Sequence, residues 1–273
     1  MKRTLFTFVI AFCLILALPV TTYASTYTMN DTDVSIQIDD SIWYVFTRDN
    51  IKDNPELDEL EITYDYMNDF FNSNNTYLDA VLYYEDGNYT ELFIMKSEVD
   101  AGIVNLSNYE EKEILEIAKG VAEEKKAKDY SIYESAYKYM YFEFVDKTYE
   151  DPFYMYQYVT VVNGEMYTFL FQSTAEFTRW DFNEAEGIID TVAFDVDTSL
   201  EEPGFDFNVG TIVKGAIVGA IVGAIVAIVG KVATKRKKAD TNVIEETIDN
   251  TVDVVAENSE EKIPEENIEN EEN

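Results

Sequence analysis

The sequence predicts an α+β fold, an antiparallel sheet flanked by helices in an α/β/α sandwich, held outside a membrane by one transmembrane helix. Three observations carry that prediction. Runs such as Tyr137–Phe144 and Phe153–Val162 are apolar or aromatic at both alternating positions, so strands there are covered on two faces. Between such runs lie stretches whose apolar residues recur at spacings of three and four, the period of a helix with one buried face. Finally, residues 210–230, GTIVKGAIVGAIVGAIVAIVG, carry no charge from Gly215 to Gly230 and are followed by KVATKRKK.

Taken in order, Lys2 and Arg3 form a basic start, Leu5–Leu18 an apolar run, and Thr22-Tyr23-Ala24 a small-residue cleavage site after Pro19. Residues 1–24 therefore read as a secretory signal peptide and stay outside the fold. Cys13, the single cysteine, lies within it, and Phe12 before it rules out a lipoprotein signal. The exported chain then has no disulfide, and its core must hold it together unaided.

Residues 25–197 are long enough for one domain with its own core. Val34–Asp39 and Ile42–Thr47 read as short strands around Asp39-Asp40-Ser41. Leu57, Leu60, Tyr64, Met67 and Phe71 mark one amphipathic helix. Leu78–Tyr84 and Tyr89–Lys96 flank Asp86-Gly87, a hairpin signal. Ser107-Asn108-Tyr109-Glu110 has the form of a capping box and opens a helix through about Lys126. Tyr130–Glu134, Tyr137–Val145 and Phe153–Val162 follow as strands, and Asn163-Gly164 turns the last into Met166–Gln172. Ser173 and Glu176 repeat the capping-box spacing before a helix carrying Trp180, Phe182, Ala185, Ile188, Ile189 and Val192. A strand near Ala193–Val196 closes the domain, and 198–209 is a linker.

This layout resembles the PsbP-like superfamily. The resemblance rests on the Asn163-Gly164 hairpin running into Tyr167-Thr168-Phe169-Leu170-Phe171, the helix with Phe182 and Ile188-Ile189, then Val192-Ala193-Phe194, and on Asp39-Asp40-Ser41-Ile42-Trp43 near the start. It implies an antiparallel sheet sandwiched by helices and a binding or assembly role rather than catalysis.

At about 1.5 Å per residue, 210–233 reaches across a hydrocarbon core of roughly 30 Å. Lys214 and Lys231 sit near its ends, where long amines reach the headgroups. Lys231, Lys235, Arg236, Lys237 and Lys238 place the following end in the cytoplasm, so the domain faces outward in a single-pass cell-membrane protein. Gly215, Gly219, Gly223 and Ala227 recur every four residues along one face, a stripe suited to close helix–helix approach and hence to a homo-oligomer. Replacing Gly219 and Gly223 with Ile is expected to abolish association of the span in a bilayer reporter assay. Undiminished association would reduce the stripe to composition.

Residues 234–273 are a basic juxtamembrane segment and an acidic tail ending EEKIPEENIENEEN, whose composition predicts disorder. Within it, Val243–Val255 carries apolar residues at near-helical spacing.

Between signal and span, 41 acidic residues face 11 basic ones. That balance excludes nucleic acid and direct contact with anionic polymers, and it suits cationic partners. The chain has no histidine, which removes metal–histidine sites and Ser-His-Asp or Cys-His catalysis. No catalytic residue and no cofactor site is identified. Calcium takes oxygen ligands, and Asp31-x-Asp33, Asp39-Asp40 and Asp195-x-Asp197 are acidic clusters, but none continues into a calcium loop, so the question of a metal stays open. Asn30, Asn74, Asn88 and Asn105 head glycosylation-like triplets and read as chance matches in an asparagine-rich chain. The function predicted is a membrane-tethered extracytoplasmic binding or assembly module with an unidentified protein partner. The alternative is a carboxylate-based hydrolase, which two converging buried carboxyls in a deep cleft would mark.

Overall fold

The computed structural model describes residues 24–200 except 61, 99–101 and 148–151. The expected signal peptide (apart from Ala24), the span 210–233, its glycine stripe, the anchoring lysines and arginine, and the tail lie outside the described residues. Among the described residues no helix is long and apolar enough to cross a membrane.

Among the described residues there are ten strands and four α-helices. The strands are β1 (Ala24–Thr28), β2 (Val34–Asp39), β3 (Tyr44–Thr47), β4 (Thr76–Tyr83), β5 (Tyr89–Glu98), β6 (Asp129–Glu134), β7 (Lys138–Asp146), β8 (Phe153–Val162), β9 (Glu165–Ser173) and β10 (Ala193–Phe194). The helices are α1 (Pro55–Glu59), α2 (Tyr64–Asn74), α3 (Glu111–Lys125) and α4 (Arg179–Ile189). Antiparallel pairing gives a seven-stranded sheet in the order β3-β4-β5-β9-β8-β7-β6 and a small sheet β1-β2-β10.

The large sheet is buried on both faces, as its two-sided apolar strands require. One face carries Phe93, Met95, Leu170, Met155 and Phe142, and α2 and α3 cover it. Phe70 of α2 meets Phe93 with ring centroids 5.9 Å apart. The other face carries Leu78, Leu92, Phe169, Phe171, Tyr158 and Tyr139 and packs against Ile36, Ile38, Ile188, Ile189 and Phe194. Its cover is therefore the small sheet together with α4. The helix-only sandwich expected from the sequence holds on one face; on the other a second sheet shares the cover.

Three further expectations are corrected. The helix read through Leu57 and Phe71 is two helices. Thr63 adopts an extended conformation and its side chain accepts from the Tyr66 amide, starting α2 afresh. Helix α3 is capped not by Ser107 but by Glu110, in a reciprocal box with Glu113. Ser107 lies in a one-turn 3-10 helix (Leu106–Asn108), where its Oγ accepts from the Lys138 amide at 3.0 Å. Likewise the box that opens α4 is Thr178 with Asp181. Ser173 belongs to β9 and donates to the Tyr89 carbonyl at 2.8 Å.

The Asn163-Gly164 turn is as expected: both residues have positive φ, 56° and 77°, which a two-residue hairpin of the right twist demands. Asn163 does more than turn the chain. Its Nδ2 donates to Asp33 Oδ2 and to the Asp195 carbonyl, each at 2.8 Å, and its Oδ1 accepts from the Asp197 amide at 2.8 Å. One side chain thereby ties the hairpin to the start of β2 and to the segment after β10.

Candidate functional site

The surface feature with most chemical character lies where α4 crosses β4, β5 and β9. Trp43, Leu82, Tyr84, Thr90, Phe171, Trp180, Asp181, Glu184 and Ala185 line a shallow notch of about 180 Å³. Helical spacing explains the α4 contribution, since positions 180, 181, 184 and 185 fall on one side. Periodicity alone had placed Trp180 on the apolar face of this helix. The structure leaves its ring 50% exposed, edge-on to Tyr84 with centroids 6.3 Å apart. One turn on, Ala185 is buried, so the interface passes beside Trp180 rather than over it.

Hydrogen bonds fix the notch floor. The Tyr84 hydroxyl donates to Asp181 Oδ1 at 2.6 Å and lies 3.0 Å from Thr90 Oγ1. Burial and then the Asp181 contact push the Tyr84 phenol well above its ordinary range, so it stays a neutral donor. Asp181 Oδ2 accepts from the Thr178 amide and hydroxyl, both at 2.6 Å. That carboxylate is committed to structure. Glu184 accepts only a long bond, 3.4 Å, from Trp43 Nε1. Glu184 and the exposed face of Trp180 are thus what the notch offers to a partner.

A different acidic pair lies inside the molecule. Asp79 on β4 and Glu91 on β5 share the face beneath α2; Asp79 pairs with Phe93 and Glu91 with Val81, so the two acids are diagonal neighbours. They are 2% and 0% exposed. Gln172, opposite Glu91 on β9 and also buried, donates through Nε2 to Glu91 Oε2 at 3.0 Å. Two converging buried carboxyls are the mark set above for a hydrolase, but here they are sealed between sheet and helix rather than held in a cleft.

The acidic clusters singled out for calcium have other employment. Asp33 is taken by Asn163, and Asp197 Oδ1 accepts from the Ser199 amide and hydroxyl at 2.8 and 2.6 Å. Asp39 accepts from Ser41, and Asp40 from Ser25. The fold does bring Asp33 beside Asp195 and Asp197, around Asn163. Among the described residues no group of three or more acidic, histidine or cysteine side chains is placed to hold a metal ion.

Sequence reasoning passed over Asp79, Glu91 and the notch. A signal for the acids existed: Glu91 interrupts the inward series Tyr89, Phe93, Met95 on a strand apolar on both faces. No comparable signal marks the notch, because its walls come from five separate stretches of chain.

No family model and no curated protein matches this chain. Solved structures do. The solution structure of cyanobacterial PsbP (CyanoP) from Synechocystis sp. PCC 6803 is 13% identical, with a TM-score of 0.37 over 65% of this chain and 95% of that one. A crystal structure from Bacteroides thetaiotaomicron VPI-5482 is 10% identical, with a TM-score of 0.33, and its match covers 63% of this chain and 48% of that one. The first of these is a PsbP, the name carried by the superfamily that the sequence resembles.

Proposed function

We propose that the chain is a membrane-tethered extracytoplasmic binding module whose α4 notch takes a basic side chain of a protein partner. One observation carries this reading: a half-exposed tryptophan stands beside an under-used carboxylate, Glu184, in an indentation of about 180 Å³. The notch is open and shallow and does not enclose a ligand, so it suits surface contact with one side chain and not a substrate. A guanidinium or ammonium over the Trp180 ring gains a cation–π contact, and Glu184 supplies the counter-charge. The strongly acidic outer segment steers cationic partners toward it. The hydrolase alternative is disfavoured because the one converging carboxyl pair described above is closed to substrate. Tethering by residues 210–233, insertion in the lipid bilayer, an outward-facing domain, a cytoplasmic tail and self-association through the glycine stripe complete the proposal. Their support is the apolar span and its flanking charges.

The test is binding of arginine- and lysine-containing peptides, with an uncharged peptide as control, to the full-length chain in detergent micelles. Trp180→Ala is expected to weaken binding about fivefold, the size of an exposed cation–π contact. Glu184→Gln should weaken it further and reduce its salt dependence. Unchanged affinity in both variants would place the partner elsewhere.

A further inference from the structure

Asp79 and Glu91 have no obvious reason to be where they are. Among the described residues neither has a lysine or arginine within ion-pair reach. No donor from another group reaches Asp79 Oδ1 or Glu91 Oε1, and Gln172 Oε1 and the Tyr89 hydroxyl beside them are likewise without a partner. Two bare charges in a dry interior are among the costliest contents a core can have. The two carboxyls are diagonal neighbours on one buried face of the sheet. A carboxylate has no proton to donate, so a pair placed in this way can share a hydrogen bond only while one member is protonated.

We propose that Asp79 and Glu91 form a proton-binding site that fastens α2 to the sheet, and that losing the proton at alkaline pH releases this helix. Burial lifts the Asp79 carboxyl to about 7, and burial together with the Asp79 charge lifts Glu91 well above the usual carboxylate range. The titratable groups facing the pair are Tyr66 from α2, Tyr83 from β4 and Tyr89 from β5. Tyr66 and Tyr89 are themselves pushed up, by burial first and then by the two acids, so they stay neutral and provide no counter-charge. From β9 comes neutral Gln172, and from β3 Phe46, opposite Asp79.

Helix α2 is the element that must respond. Phe70 packs on Phe93, the residue paired with Asp79, and Tyr66 lies one turn before it. Charging the pair calls water into this layer, and lifting an eleven-residue helix disturbs less than parting the β4–β5 ladder. The sign follows from proton counting. The folded state keeps protons that the opened or unfolded chain releases in the ordinary carboxyl range. The pair's contribution is therefore complete below that range. It is lost progressively as pH rises to about 7 for Asp79, and further up for Glu91.

The experiment uses the full-length chain in detergent micelles from pH 5 to 9, as wild type and as Asp79→Asn, Glu91→Gln and the double variant. Hydrogen exchange of residues 64–74, corrected for its intrinsic pH dependence, should show the wild-type opening equilibrium rising about tenfold per pH unit for each proton released. The acidic surface gives every variant a common background slope, and the double variant should keep only that background. Infrared spectra of the wild type at pH 6 should contain the carbonyl stretch of a buried protonated carboxyl. This last measurement needs no variant to fold. Absence of that band overturns the proposal, as does an equal pH slope in wild type and double variant. A calcium-induced rise in the unfolding midpoint, present in wild type and lost in Glu91→Gln, would make the pair a cation site and overturn it too.

Discussion

Phe169→Ala is expected to cost about 4 kcal/mol of folding stability, within the range for emptying a fully buried phenylalanine site. Phe169 lies on β9, the middle strand of the seven, and is 0% exposed. Its ring stands edge-on to Tyr139 at 6.0 Å and to Phe194 at 6.5 Å. It therefore joins the large sheet to β10 of the small one. Tyr139 is held by its pairing with Tyr133 of β6 and Phe194 by its pairing with Val34 of β2, so the cavity cannot collapse far. A domain of this size typically has about 5–15 kcal/mol to lose, so the variant should fold but melt roughly 8–16 °C lower. Denaturant titration checks it: the midpoint should fall with the slope unchanged. A loss below about 1 kcal/mol would mean that the two sheets do not share this core.

Arg48→Ala is expected to cost about 3 kcal/mol, because it removes two charge-assisted hydrogen bonds to backbone carbonyls at a helix-to-strand corner. Its Nε donates to the Thr76 carbonyl at 2.7 Å and its Nη2 to the Phe71 carbonyl at 3.0 Å. The guanidinium also lies 4.0 Å from the centre of the Tyr77 ring. Phe71 is in the last turn of α2, and Thr76 opens β4 at an irregularity in its pairing with β5. One side chain thus closes the helix-to-strand corner, where Asn75 takes the left-handed conformation. Arg48→Lys separates the two contributions, since an ammonium keeps the charge but cannot present a planar fork. The lysine variant should recover less than half of the loss in a thermal melt. Full recovery would show that charge alone matters at this corner.

How much of this was readable beforehand depended on whether a residue's role is local. The large-sheet strands and hairpin turns could be read because alternation, Asp86-Gly87 and Asn163-Gly164 act within a few residues. Strand β1 could not: every residue of Ala24–Thr28 is exposed or half-buried, so no apolar alternation announces it. It exists because β2 offers an unpaired edge. The capping residues were misplaced for a related reason. Ser107 and Ser173 are competent caps, but each is committed to another strand, so capping falls to Glu110 for α3 and to Thr178 for α4.

Acidic side chains show the same division. From sequence, dozens of carboxylates on an acidic chain are expected at the surface, and most of those among the described residues are there. That Glu91 and Asp79 turn inward follows from strand parity, yet their meeting depends on the β4–β5 register and their isolation from water on where α2 lands. Trp180 and Glu184 were likewise visible as helix residues but not as the rim of a notch, since Trp43, Tyr84 and Phe171 come from distant stretches.

By itself, then, the sequence determined the α+β class, the antiparallel hairpins, the two-sided burial of the large sheet and a chemistry without histidine or, after residue 24, cysteine. These are set by composition and by periodicities that short-range geometry enforces. Only the tertiary structure decided that a second sheet shares one face, which caps are used, which acids are dry and which tryptophan is left in solvent. Those outcomes turn on pairing register and on the docking of helices against strands far away in the chain, and no local pattern encodes either.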